Sequence, residues 1–300
     1  MPVSTRHRID KISIGSSFTL GSANSIRSSF NMELLTNYPA GHVAALCIAN
    51  LGQKPQISVT TPEIDTVLNG VPVNGLSTAV DSYLYQKLAN DTGTVARATT
   101  SHTRHAMSQV TTYWPSFTLP HNAEGTIELM VHPVWDGTND IIVPAGTLAL
   151  SGNLACDPRY GAGPVSINGS AIAGVQSIEV SSGAQIVELG ASSEQWPTVV
   201  AITRVNPVVR ITTTSIQLAT MGISGTALNG TTGLVFWGRR LRSADASSHH
   251  IKGVGLNGIV HVESESGESA EDYRAVLVVT LSSASDSVMP LIFTTAQAIA

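Results

Sequence analysis

Charge is scarce in this chain. Asp, Glu, Lys and Arg together make 12% of its 300 residues, about half of the ~25% usual for globular domains. Lysine is rarest, with only Lys11, Lys54, Lys87 and Lys252. That shortage disfavours long solvent-facing helices, whose outer faces are built from Lys, Glu and Gln. The formal charge is 16 − 21 = −5, mild and dispersed. This argues against a groove-binding nucleic-acid protein, whose affinity rests on clustered Lys and Arg facing phosphates. The longest apolar run, Val43 to Ala49, stops at Asn50, far short of the ~20 residues that span a bilayer. The first residues, MPVSTRHRIDKIS, are basic but lead into no apolar stretch. The expectation is therefore a soluble chain with no secretory signal and no membrane partner. Cysteine is nearly absent. Cys47 lies in the apolar run and reads as a small core residue. Cys156 is followed by Asp157, Pro158 and Arg159, so no CxxC spacing exists and no disulfide framework, metal or redox role is implied.

Apolar residues make 42% of the chain and 26 glycines add to them, enough for a sizeable core. The sequence also matches itself. PQISVTTPEIDTVLNGVPVNGL (Pro55 to Leu76) aligns without gaps on PVVRITTTSIQLATMGISGTAL (Pro207 to Leu228). Pro55, Thr60, Thr61, Gly70 and Leu76 meet Pro207, Thr212, Thr213, Gly222 and Leu228. Upstream, allowing a three-residue shift, Tyr38-Pro39 with VAALCIAN meets Trp196-Pro197 with TVVAITRV, and downstream Leu84-Tyr85 meets Phe236-Trp237. GTIELMVHP (from Gly125) and IIVPAGTLA (from Ile141) face YRAVLVVTL (from Tyr273) and LIFTTAQAI (from Leu291) in the same order. The expected organisation is a first unit at 12–152, a linker at 153–164 (NLACDPRYGAGP) and a second unit at 165–300.

Within each unit the period is two. Ile57, Val59 and Thr61 alternate with Gln56, Ser58 and Thr60, and Val209, Ile211 and Thr213 repeat the pattern. Asn-Gly pairs at 69–70, 74–75, 168–169, 229–230 and 257–258 read as turns, the last flanked by HIKGVGL and IVHVES as in a hairpin. Ser77 to Leu88 could form one short helix. The predicted fold is mainly β: two tandem antiparallel β-sandwich or barrel units with at most short helices.

Catalytic patterns find little footing. Asp91-Thr92-Gly93 in a duplicated β chain resembles a pepsin-like aspartic protease, whose chemistry needs two carboxylates sharing a proton. Here Ala89-Asn90 stands where that family has apolar residues, and Ser243-Ala244-Asp245-Ala246-Ser247 in the second half offers no following glycine. His102, His105, His121 and His132 have no spacing that completes a metal site, and the adjacent His249 and His250 point to opposite faces if they lie on a strand. Asp136-Gly-Thr-Asn-Asp140 lacks the EF-hand's glycine and bidentate Glu and reads as a turn. With no GxSxG, phosphate loop or HExxH, the reading is a non-enzymatic protein with no cofactor and no metal.

Such a chain works through its surfaces, and its few lysines leave strand edges lightly guarded. Its apolar strand VVAITRV, the PVVRITTT strand, the segment GLNGIVHVES and the final strand closing on AQAIA resemble structural proteins of tailed bacteriophages, most closely duplicated tail-tube proteins. That resemblance implies β units closing into rings that stack into a tube for DNA. The implied assembly is a homo-oligomer of trimeric rings with six-fold pseudo-symmetry, in contact with other virion proteins, in a virion assembled in the host cytoplasm. Polar loops at one point of each half, Asn90 to Arg104 and Arg242 to His250, are the candidate inter-subunit contacts: Asn90, Asp91, Thr92, Arg97, Arg104, Arg242, Asp245, His249 and His250. The alternatives are a capsid decoration or other head protein, and a carbohydrate-binding or adhesive module using Trp114, Trp135, Trp196 or Trp237 as stacking platforms.

Overall fold

The computed structural model describes residues 5–15, 18–21, 23–38, 40, 44, 47–88, 102–148, 158–190, 194–214, 224–267, 273–283, 285 and 287–299. Strands dominate them. The first half contains β1 (Thr5–Ile14), β2 (Phe18–Leu20), β3 (Ser25–Ser29), β4 (Met32–Asn37), β5 (Cys47–Gln53), β6 (Gln56–Thr61), helix α1 (Ile64–Gly70), β7 (Leu76–Leu88), β8 (His102–Tyr113), β9 (Ser116–Pro120), β10 (Thr126–Pro133) and β11 (Val143–Leu148). The second half follows with β12 (Tyr160–Ile167), β13 (Ser170–Ile172), β14 (Val175–Ser181), β15 (Gln185–Leu189), β16 (Val199–Arg204), β17 (Val208–Thr213) and β18 (Thr226–Ala227). After a 3-10 turn at Gly230–Thr232 come β19 (Leu234–Arg240), β20 (His250–Gly255), β21 (Asn257–Ser266), β22 (Arg274–Ser282) and β23 (Leu291–Gln297).

All pairings are antiparallel, so the mainly β, antiparallel architecture stands. One sheet of 14 strands runs β18, β21, β22, β17, β14, β9, β10, β8, β7, β1, β2, with β11 on β8, β6 on β10 and β3 on β6. A second sheet runs β13, β12, β19, β20, β23, and β4–β5 and β15–β16 are separate two-stranded hairpins. The large sheet passes between the halves where β9 pairs β14.

The period-two segments are strands as expected. Ile57, Val59 and Thr61 of β6 and Val209, Ile211 and Thr213 of β17 are buried, their alternates only partly covered or exposed. The core is continuous through both halves. Trp114, Phe117 and Phe293 meet edge to face at 5.7 to 5.8 Å, and Phe236 joins Phe293 at 6.1 Å. The Trp114 indole N–H donates to the Val71 carbonyl (3.2 Å), so its one polar atom is satisfied inside.

Four local expectations are corrected. Residues 77–88 are strand β7, not a helix, because that stretch pairs along its length with β1 and β8. The helix instead lies at α1, where Ile64, Val67 and Leu68 bury a three-and-four-spaced stripe and Asn69-Gly70 ends the helix rather than turning a hairpin. Asn168-Gly169 is a true two-residue hairpin turn with φ of 50° and 81°. Asn257-Gly258 is not: β20 pairs β19 and β23 while β21 pairs β22, so the chain turns a corner from one sheet to the other. Gly258 (φ 152°) is needed there because a Cβ would press on the Thr280 carbonyl oxygen. The expected linker, 153–164, ends inside β12, whose Tyr160–Pro164 portion continues the five-stranded sheet.

Candidate functional site

Two hairpins stand off the main sheets, and their surroundings differ. β15–β16 is seated. It leans over β8 and β10, with the Thr111 hydroxyl donating to the Val200 carbonyl (2.9 Å) and the Trp135 backbone N–H donating to the Pro197 carbonyl (2.8 Å), and its turn meets the end of β5, where the Gln53 N–H donates to the Gln195 carbonyl (2.8 Å). His132 Nδ1 lies 2.6 Å from Glu188 Oε1, joining β10 to β15. His132 and Glu188 line a cleft of about 400 Å³ with Lys54, Gln56 and Tyr113. Burial, with the Glu128 and Glu188 carboxylates, raises the Tyr113 hydroxyl above its ordinary pKa, so it stays neutral there. Lys54 pairs with Glu33 at 2.8 Å, a hydrogen bond that raises its pKa. The cleft thus holds one His–Glu pair and an ammonium already engaged by a carboxylate. No group of three or more His, Cys, Asp or Glu able to hold a metal occurs among the described residues.

β4–β5 is not seated in the same way. Met32, Leu34, Leu35, Tyr38, Ile48 and Leu51 are all more than half exposed, Ile48 the most at 64%. This hairpin was missed in the sequence, although a signal was present. Leu34 and Leu35 are adjacent on a strand and point to opposite faces. The apolar run Val43 to Ala49 leads into β5 without polar alternation, the sequence pattern of a strand covered on both faces.

The residues singled out from the sequence are scattered. Asn90, Asp91, Thr92 and Arg97 lie outside the described residues. Arg104 is on β8 and not in a loop, 3.8 Å from Asp81, because β8 already begins at His102. Arg242, Asp245 and His249 are exposed in the loop before β20, with Asp245 paired to Arg239 at 2.8 Å. His250 is buried, which rules out a surface contact. Its Nδ1 accepts the Arg240 N–H (3.0 Å) and its Nε2 lies 3.0 Å from the Ala244 carbonyl, so it ties that loop from inside. His102 and His105 sit three apart on a strand, on opposite faces. Asp136 is the centre of a turn, accepting from the Thr138 and Asn139 N–H groups, the Asn139 amide and the Ser108 hydroxyl. Those bonds hold its carboxyl well below the usual carboxylate range.

Together these features define an all-β chain whose most conspicuous surface is an uncovered apolar hairpin. Compared with protein-family models and with curated proteins, the chain matches none.

Proposed function

We propose that this chain is a non-enzymatic structural protein of a tailed-phage virion that assembles with copies of itself into rings, which stack into the tube through which DNA passes. The observation that carries self-assembly is the β4–β5 hairpin. Six large apolar side chains stand exposed on and beside one hairpin, on both of its faces, and uncovered apolar surface of that extent marks a protein–protein contact. The tube reading rests on the resemblance of the strand pattern to duplicated tail-tube proteins. A mildly acidic chain of net charge −5 supports it, because a lumen for sliding DNA should carry no sticky cationic surface.

The stacking-platform alternative loses one of its residues, since Trp114 is buried with its N–H bonded inside. Trp135 is likewise tied, donating its indole N–H to the Asn139 carbonyl (3.0 Å). The test is negative-stain electron microscopy with light scattering over a range of concentrations. Rings or hollow tubes with a pore are expected, with three-fold symmetry and six lobes. Solid trimeric knobs would favour capsid decoration instead, and a monomer at every concentration would overturn self-assembly altogether.

A further inference from the structure

The strand registers of the two halves carry more than the sequence match does. β3 pairs β6 with Ile26 opposite Val59, and β14 pairs β17 with Ile178 opposite Ile211, each residue 152 positions after its counterpart. β4 pairs β5 with Leu34 opposite Asn50 after a bulge at Glu33, and β15 pairs β16 with Ile186 opposite Ile202 after a bulge at Gln185. The offset is again 152. β10 puts Leu129 opposite Val59, and β22 puts Leu277 opposite Ile211. β9 puts Phe117 opposite Ile127, and the far part of β21 puts Glu265 opposite Ala275, now offset by 148. A slipped register would move every side chain to the other face, so agreement across four pairings and one bulge is a strong constraint.

One pairing has no such counterpart within the chain. β9 of the first half bonds β14 of the second, with Glu179 opposite Thr118 and Val180 opposite Phe117. The equivalents of these two strands are the far part of β21 and β3. Among the described residues, Ser264–Ser266 pairs only β22, and β3 pairs only β6. Both therefore keep an open edge, and open edges recruit strands.

We infer that a second copy of the chain docks head to tail, its β3 adding to the open far edge of β21 in the register of the β9–β14 junction. Ser28 of one copy then faces Glu265 of the next, and Arg27 faces Ser266. The exposed hairpin falls into place by the same mapping. Val200 of the seated hairpin receives the Thr111 hydroxyl, and their equivalents are Ile48 and Ile259, exposed at 64% and 56%. Docking brings these two uncovered apolar side chains together. Charge agrees in sign, with Arg27 on one edge and Glu265 on the other, while Glu263 is already paired with Arg210 at 2.6 Å.

The contact is heterologous, so repetition gives a closed ring or an open filament according to the rotation per copy. It is also more polar than the junction inside the chain. Phe117, Leu119, Ile178 and Val180 are buried there, whereas Glu265, Gly267, Ile26 and Ser28 replace them between copies. Association should accordingly depend on concentration. This inference rests on the self-assembly part of the proposed function and is independent of tube, virion or DNA.

The test is cysteine cross-linking in a background carrying Cys47→Ser and Cys156→Ser. Differently tagged single variants Ser28→Cys and Glu265→Cys are mixed and oxidised, and Arg27→Cys with Ser266→Cys in parallel. Adjacent antiparallel pairs alternate between Cα separations of about 4.5 and 5.5 Å, so the two sets cover both geometries that a disulfide tolerates. Mixed disulfides are expected in at least tenfold excess over either variant linked to itself. Ile48→Asp is expected to weaken association at least tenfold by light scattering while its circular dichroism melt is unchanged. If the wild type assembles but neither mixed disulfide forms, or like links to like, this interface is wrong and self-assembly stands. If the wild type stays monomeric at every concentration, both fall.

Discussion

At the scale of single residues, Trp114 and Asp136 show two ways in which one side chain fixes its surroundings. Trp114 fills the space between β9 and β23 with its ring and satisfies its N–H on Val71. Trp114→Ala should cost about 3–5 kcal/mol, read as a lower denaturation midpoint with an unchanged denaturant slope. Asp136 acts through charge. Its folded pKa is lowered, so the turn it organises is fully held above the ordinary carboxylate value of 3.8 and is lost only as pH falls through the depressed value. Trp135 donates its indole N–H to Asn139 in the same turn. Its fluorescence should therefore stay constant down to pH values where a free carboxylate has already protonated, and Asp136→Asn should abolish the acid transition. A transition of that signal at the ordinary carboxylate value would contradict the hydrogen-bonded turn.

At the scale of elements, the corner between β20 and β21 decides how the two sheets connect. Gly258 permits it by approaching the Thr280 carbonyl more closely than any side chain allows. Gly258→Ala should destabilise by about 1–3 kcal/mol, with hydrogen exchange accelerating first in β21 and β22. The Asn-Gly pair suggested a hairpin here, and the sequence could not correct that, since the dipeptide reports a change of direction and not the partner of the next strand. The same limit applies to β7. Its charged and tyrosine-rich spacing fits a short helix locally, but pairing with β1 and β8 outweighs local preference. The stripe Ile64, Val67, Leu68 has helical spacing but was not read as a helix. It is only two turns long, and Asn69-Gly70 beside it spoke for a turn.

At the scale of the whole molecule, the junction between halves is part of one core. β9 bonds β14, and Phe293 of the second half packs on Trp114 and Phe117 of the first. The monomer should therefore unfold in one transition, with tryptophan fluorescence and far-ultraviolet circular dichroism coinciding. A fragment ending at residue 152 should aggregate or unfold more easily than the intact chain, because it leaves Phe117 and Leu119 on an open edge. Two separated transitions, with a fragment as stable as the intact chain, would show that the halves are independent.

The sequence by itself determined the β class, the strand alternation of β6 and β17, the Asn168-Gly169 turn and the order of matching segments, because these depend on local chemistry and period. It also carried the His250 and Asp136 loops as polar turns, without showing that one is pinned from inside and the other by its own backbone. Tertiary structure alone decided which strand lies beside which. It placed Trp114 inside, turned residues 77–88 into a strand, seated one hairpin on the neighbouring half and left the other uncovered. Pairing joins residues far apart along the chain, and whether an apolar side chain is buried depends on the neighbour that arrives to cover it.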